Sequence, residues 1–195
     1  MNRERGWDEY CAVTSARPPR PLLLEVLARC DCAGLAIDFG CGGGVETLEL
    51  LRRGWRVVAV DGETAAIARL VEVTPPAWRF RLDARVESFV GVELPAADLA
   101  WSALSLSFCA RGDFEAVWSK LVGCVLSGGR VACDVFGVRH SWGGRPGMTF
   151  VDEDQALGLV SGLEVEVFRE VEEVRRTAFE GMQHWHAFEM VARVP

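Results

Sequence analysis

Three sets of residues in this chain have types and spacings suited to chemistry. The first is Asp38-x-Gly40-x-Gly42-x-Gly44, with Cys41 inside it. A glycine-dense turn that opens a helix presents backbone N–H groups and the helix's positive end to a ligand. Asp38 in front of it would repel a pyrophosphate and favour a cationic amino group or sulfonium. The second is Asp61 with Gly62, 21 residues beyond Gly40, where a carboxylate can accept both hydroxyls of a ribose. A plain turn or helix-cap residue is the alternative there. The third is the full complement of histidines, His140, His184 and His186, candidates for a general base. His184 and His186 flank Trp185 at strand spacing and share a face, so a neutral pair hydrogen-bonded in the sheet is an equally good reading. A zinc site would need ligands beyond His184 and His186, for which His140 with Cys109 is the completion on offer, and no metal is expected.

These residues need a frame, and hydrophobic periodicity outlines one. Leu35 to Phe39 reads as a first strand entering the glycine turn. Val45, Leu48 and Leu51 mark a helix stopped by Gly54. Trp55 to Asp61 is a second strand, apolar enough to be covered on both faces. Thr64 can cap a third segment, helical through Val71, and Trp78 to Asp83 alternates as an edge strand. Ala97 to Leu104 and Arg130 to Phe136 are further strands, separated by a helix carrying Phe114, Val117, Trp118 and Leu121. The glycine-studded stretch 137–147 is a candidate binding loop. Thr149 or Asp152 starts a short helix, Leu163 to Val167 alternates again, and His184 to Val194 follows with no room for a helix. It must return antiparallel. The pattern is α/β, a doubly wound, mostly parallel sheet with helices on both faces and one reversed strand.

In such a sheet ligands sit beyond the carboxyl ends of the parallel strands. Asp38 to Gly44, Asp61, Asp83-Ala84, Ser102 to Cys109 and the loop holding His140 and Trp142 would meet there, and the reversed strand would bring His184, Trp185 and His186 to the same rim. Asp83 could accept an adenine amino proton with the Ala84 amide nearby, although a solvated strand end fits it as well. Trp142 and Trp185 are either core fillers or walls of an apolar pocket.

Composition narrows the possibilities. At 195 residues the chain suits a single domain, 1–195, and half of it is hydrophobic. A net charge of −7 without a run of Lys or Arg disfavours nucleic acid. Residues 1–20 lack an apolar signal core and no stretch reaches bilayer length, so a cytoplasmic protein without membrane contact is expected, monomer or homodimer. Seven cysteines contain no Cys-x-x-Cys pair and read as reduced and mostly structural, with Cys41, Cys109, Cys124 and Cys133 in or beside apolar segments.

The glycine spacing decides between cofactors. A dinucleotide fingerprint would need Gly or Ala where Val45 stands, which weakens a nucleotide-dependent oxidoreductase, and no Gly-Lys-Ser/Thr phosphate loop exists. Asp38 to Gly44 instead resembles motif I of the class I S-adenosylmethionine-dependent methyltransferases. With Asp61, Asp83, Leu106 to Cys109, Val117-Trp118, Phe136-Gly137, Ser141-Trp142, Met148 to Phe150 and His184 to His186, the chain resembles bacterial small-molecule methyltransferases of the tellurite-resistance-related type. That resemblance implies a seven-stranded Rossmann-like core over 34–195, with the last strand antiparallel, and N-terminal helices over 1–33 whose Trp7–Tyr10 segment is lid-like. It implies S-adenosylmethionine held by Asp38, Gly40, Cys41, Gly42, Gly44, Asp61, Gly62, Asp83, Ala84, Ser102 and Tyr10. The small acceptor, a hydroxyl, amine or soft sulfur, selenium or tellurium nucleophile, would lie among Ser107, Phe108, Cys109, Trp142 and Trp185. Gly43 and Val45 stand where relatives often carry acidic and basic residues, and Cys109-Ala-Arg lacks their prolines, so the acceptor does not carry over. A cofactor-binding protein without catalysis is the other reading.

Overall fold

The structure, a computed structural model, describes residues 17–177 and 181–195. Trp7 to Tyr10, the expected lid, lies outside them. A proline-initiated helix α1 (Pro21–Leu27) leads to β1 (Leu35–Phe39), the glycine turn and α2 (Val45–Arg52). Then come β2 (Arg56–Asp61), α3 (Thr64–Val73), a 3-10 turn (Pro76–Arg81) and β3 (Leu82–Val86). β4 (Ala97–Ala103), a short 3-10 turn (Leu106–Phe108), α4 (Arg111–Gly123) and β5 (Val125–Phe136) follow. Beyond these lie α5 (Glu153–Leu159), β6 (Glu164–Thr177) and β7 (Gly181–Arg193).

Seven strands form one sheet in the order β3-β2-β1-β4-β5-β7-β6. β1 to β5 pair in parallel, and β7 runs antiparallel to both β5 and β6. The expected seven-stranded Rossmann-like fold with a reversed last strand is therefore present. Leu23 and Val26 of α1, Leu50 and Leu51 of α2 and Leu70 of α3 pack on one sheet face. Phe114, Val117 and Leu121 of α4 and Ala156 of α5 pack on the other with Phe188 and Met190. Coverage on both sides is why β1 and β2 read as nearly continuous apolar runs. Asp152 caps α5, accepting the Gln155 N–H while the Gln155 side chain accepts the Asp152 N–H. No helix among the described residues is long and apolar enough to cross a membrane.

The third strand differs from its expected position. Pro75-Pro76 starts a 3-10 turn that takes up Trp78 to Arg81, and Arg79 Nε closes it on the Thr74 carbonyl. The Trp78-Phe80-Leu82 alternation that suggested a strand leaves Phe80 83% exposed. The strand starts at Leu82, so its register carries Asp83 opposite Val58 and Val86 opposite Asp61. Phe80→Ala should change unfolding free energy by no more than about 0.5 kcal/mol, whereas Phe188→Ala, buried between sheet and helices, should cost about 3–5 kcal/mol; urea denaturation of the two variants measures both.

Candidate active site

The turn after β1 is shaped by close approach. Gly40 and Cys41 donate their N–H groups to the Val60 carbonyl, and Gly40 has φ +85°. A Cβ there would fall 2.2 Å from that of Ser105, so both conformation and space require glycine. The Phe39 carbonyl accepts hydroxyls from Ser102 (3.0 Å) and Ser105 (2.5 Å), and the two hydroxyls are 2.7 Å apart. Gly42, at φ +50°, faces open space: a Cβ placed on it would meet nothing within 4 Å.

Asp61 ties this turn to β2. One carboxylate oxygen accepts the Gly42 N–H (2.8 Å) and the other the Glu63 N–H (2.9 Å). A carboxylate has about four acceptor positions, so capacity remains for a ligand hydroxyl. Burial raises its pKa despite these bonds. Asp38 lies behind the turn, buried, and accepts the Thr47 hydroxyl at 2.5 Å. Burial pushes its carboxyl up to about 7, partly opposed by the Thr47 bond.

Several residues that the sequence did not single out line the same region. Glu46, buried, takes both Arg17 guanidinium nitrogens at 2.6 Å and the Arg20 N–H at 3.2 Å. The Arg20 Nε is buried and has no hydrogen-bond partner among the described residues. Asp134 on β5 accepts the Leu104 N–H, holding Leu104 at φ +60°, a conformation unusual for a non-glycine residue. Burial pushes Asp134 up to about 6, opposed by the charge of Arg20. None of these links is local in sequence, so no spacing announced them.

Other expected contacts are corrected. Asp83 sits three residues before the β3 residue opposite Asp61, about 10 Å back along the strand. It is exposed and paired with Arg85 at 2.6 Å, and Ala84 packs against the core beside α3's face. Glu87 stands at the rim in their place, its N–H on the Asp61 carbonyl. Ser102 is fully buried and spent on Phe39. Ser107, also fully buried, accepts the Phe136 N–H at 2.7 Å. Cys109 packs in the α4-side core, and burial lifts its thiol to about 11. These three brace the wall rather than line it. Cys41 is likewise buried, and Gly62 is exposed beside Asp61.

The histidines divide. His186 is fully buried, its Nδ1 accepting the Arg139 N–H at 3.0 Å and its Nε2 2.8 Å from Glu170. Its ring lies against Gly137, where a Cβ would be 2.0 Å from Nδ1. No lone pair is left for proton abstraction, which corrects the expectation of a catalytic base. His184 shares that face and pairs with Glu172 at 2.8 Å, while its backbone exchanges bonds with Ser141, the N–H donating to Oγ and the carbonyl accepting the Ser141 N–H. Both histidines clip the 137–147 loop to β7. Glu170, Glu172 and His186 are close enough together to hold an ion, but Arg139 already spans both carboxylates.

His140 lies on the opposite side, with Trp185. Its ring centroid is 4.3 Å from Phe136, 4.9 Å from Trp185 and 5.1 Å from Trp142. Phe108, exposed, meets Phe136 and Trp142 at 6.2 and 6.3 Å. Phe108, Trp142 and Trp185 thus all pack around Phe136. The Trp142 N–H donates to His140 Nδ1 at 3.0 Å, so the ring proton resides on Nε2. Burial first, then the charges of Arg175 and Arg145, push the His140 pKa down to about 4.

Residues 37–133 match the family described as a methyltransferase domain. No curated protein matches the sequence. Among solved structures the chain is similar to TehB from Haemophilus influenzae, with 16% identity, 96% of this chain and 66% of that chain covered, and a TM-score of 0.80. This chain thus spans slightly less than two thirds of TehB. It is similar to 1,6-didemethyltoxoflavin-N1-methyltransferase from Burkholderia thailandensis, solved with 1,6-didemethyltoxoflavin and S-adenosylhomocysteine, at 19% identity, 90% and 77% coverage and a TM-score of 0.70. The N-methyltransferase NodS from Bradyrhizobium japonicum WM9, solved with S-adenosylhomocysteine, gives 16%, 96%, 99% and 0.69. At these identities the structural likeness is one of fold.

The buried groups make opposite contributions to stability with pH. Asp38 has a folded pKa raised to about 7, so the folded state holds its proton longer and stability is lost as pH rises from about 4 through 7. His140, depressed to about 4, contributes stability above about 6.5 that is lost as pH falls toward 4. In thermal melts, Asp38→Asn should gain on the wild type as pH rises from about 4.5 to 7.5, and His140→Phe should gain on it as pH falls through the range about 6.5 to 4.

Proposed function

We propose that this chain, whose residues 37–133 match a methyltransferase domain, transfers a methyl group from S-adenosylmethionine to a small-molecule acceptor. The observation that supports this most is the joining of the Gly40–Gly44 turn to the Asp61 carboxylate through the Gly42 N–H, on the rim that the aromatic cluster also reaches. Bound there, the cofactor supplies a sulfonium methyl whose departure leaves a neutral thioether.

The chain's residues suit that ligand. Asp61 would accept the ribose hydroxyls with its remaining lone pairs, and Gly42, open on its outer side, admits the ligand to the turn. Glu87, at the rim where Asp83 had been expected, would take the adenine amino group. An α-amino acid end needs an anion and a cation at once. Asp38, at the base of the turn, and Arg20, whose Nε has no hydrogen-bond partner among the described residues, are the residues that would meet its amino and carboxylate groups, with Glu46 holding the Arg20 backbone.

Catalysis would rest on alignment and exclusion of water, which in favourable cases contributes about 7–11 kcal/mol. His186 has no free lone pair and His140 carries its proton on the buried nitrogen, so neither serves as base in this arrangement. The reading therefore favours acceptors whose lone pair is already available near neutral pH: a soft sulfur, selenium or tellurium anion, an ionised enol or phenol, or an aromatic nitrogen. An unactivated alcohol fits least well.

Titration calorimetry with S-adenosylhomocysteine should give saturable one-site binding, and its absence would overturn this reading. Asp61→Ala should weaken that binding about 10- to 100-fold, the equivalent of about 1.5–3 kcal/mol for hydrogen bonds to a charged group. Gly137→Ala, which crowds His186, should lower stability by about 1–3 kcal/mol while leaving the affinity for S-adenosylhomocysteine nearly unchanged.

A further inference from the structure

His140 is 3% exposed, and its Nε2 has no hydrogen-bond partner among the described residues. Because Nδ1 is occupied by the Trp142 N–H, the stranded atom is a donor. Leaving a buried donor unsatisfied is destabilising, and such a group calls for an explanation. Its surroundings are aromatic: Phe136, Trp142, Phe150 and Trp185 pack around the imidazole. The cluster lies beyond the carboxyl end of β5, next to Leu104 at the end of β4. Its outer edge is formed by Phe108 and Trp142. Ser141 is tied to β7 through His184, whereas the adjoining tip, 143–147, is exposed and includes Gly143, Gly144 and Gly147. The wall is anchored at its base and exposed at its tip.

Aromatic cages commonly take cations on their π faces. Here guanidinium groups already do so: Arg175 lies 3.4 Å from the Trp185 ring centroid and Arg145 4.7 Å from that of Trp142. A cationic ligand would meet both positive charges, while an uncharged or anionic ring would not be repelled.

We propose that this cluster is a subsite for a planar aromatic acceptor, uncharged or anionic, whose oxygen or ring-nitrogen lone pair accepts the His140 Nε2–H. Naming the ligand as the methyl acceptor rests on the methyl-transfer reading; the binding chemistry itself does not. The ring stacks among the indoles and Phe136, and the buried donor sets its orientation. Selectivity then arises because a ring lacking a lone pair leaves the donor unpaired.

The test compares three probes on the full chain, with and without S-adenosylhomocysteine: 2-quinolone, naphthalene and trimethylphenylammonium. Calorimetry should show 2-quinolone binding about tenfold or more tightly than either other probe, a preference equivalent to one buried hydrogen bond. It should also shift the His140 Nε2–H signal in long-range proton–nitrogen NMR. His140→Phe keeps an aromatic ring and should abolish the preference without changing affinity for S-adenosylhomocysteine. Equal or absent binding of the probes, a preference for the ammonium, or an unshifted His140 signal would overturn the proposal. The wild-type ranking decides the matter should the variant fold poorly. If S-adenosylhomocysteine does not bind but the 2-quinolone preference persists, the methyl-transfer reading falls and the ring site stands. If S-adenosylhomocysteine binds and the probes are not discriminated, the ring site falls alone.

Discussion

The Phe39 carbonyl, at the end of the first strand, accepts hydroxyl groups from both Ser102 and Ser105. That small junction sets the distance between β1 and β4, and the crevice depends on it. Gly40 is needed because Ser105 presses against the place its side chain would occupy. With the turn held there, Gly42 can reach Asp61, and β2 is joined to the same edge. Asp134 extends the arrangement to β5 by holding Leu104 in a left-handed conformation. Short polar links between strand ends, rather than the hydrophobic interior, fix the relative positions of the groups at the rim.

Charge in this region is managed by burial and pairing. Glu46 is matched by Arg17, while Asp38 and Asp134 are shielded enough to hold protons into the range of about 6 to 7. The acidic residues of β6 are paired: Glu166 with Arg130, Glu164 with Arg193, and Glu170 and Glu172 with Arg139. Exposed pairs of this sort contribute little individually. Their effect is to neutralise the edge strand and, through Arg139, to hold the start of the 137–147 loop.

The fold and the position of the glycine turn within it were legible because their signals are local. Glycine spacing, the carboxylate after the second strand and the absence of room for a helix before β7 all lie within short stretches. The third strand was misplaced because Trp78, Phe80 and Leu82 imitate strand alternation while two prolines turn the chain into a 3-10 helix. The histidines were harder for a different reason. Their roles depend on which nitrogen receives a backbone N–H, from Arg139 for His186 and from Trp142 for His140, and no pattern in sequence reveals that. Arg20, Glu46 and Asp134 escaped notice because their partners lie far along the chain.

The strand order also bears on how the molecule assembles. β6 and β7 are consecutive and antiparallel, the arrangement that forms quickest, since little chain must be closed into a loop. The parallel pairs on the other side of β5 join segments much farther apart. Without β7, β5 would present an open row of backbone donors and acceptors, the kind of edge that invites pairing between molecules. Docking replaces that apolar edge with β6, whose glutamates and arginines make a poor template for a second copy. The hairpin thus covers β5 and leaves the sheet ending on a charged strand.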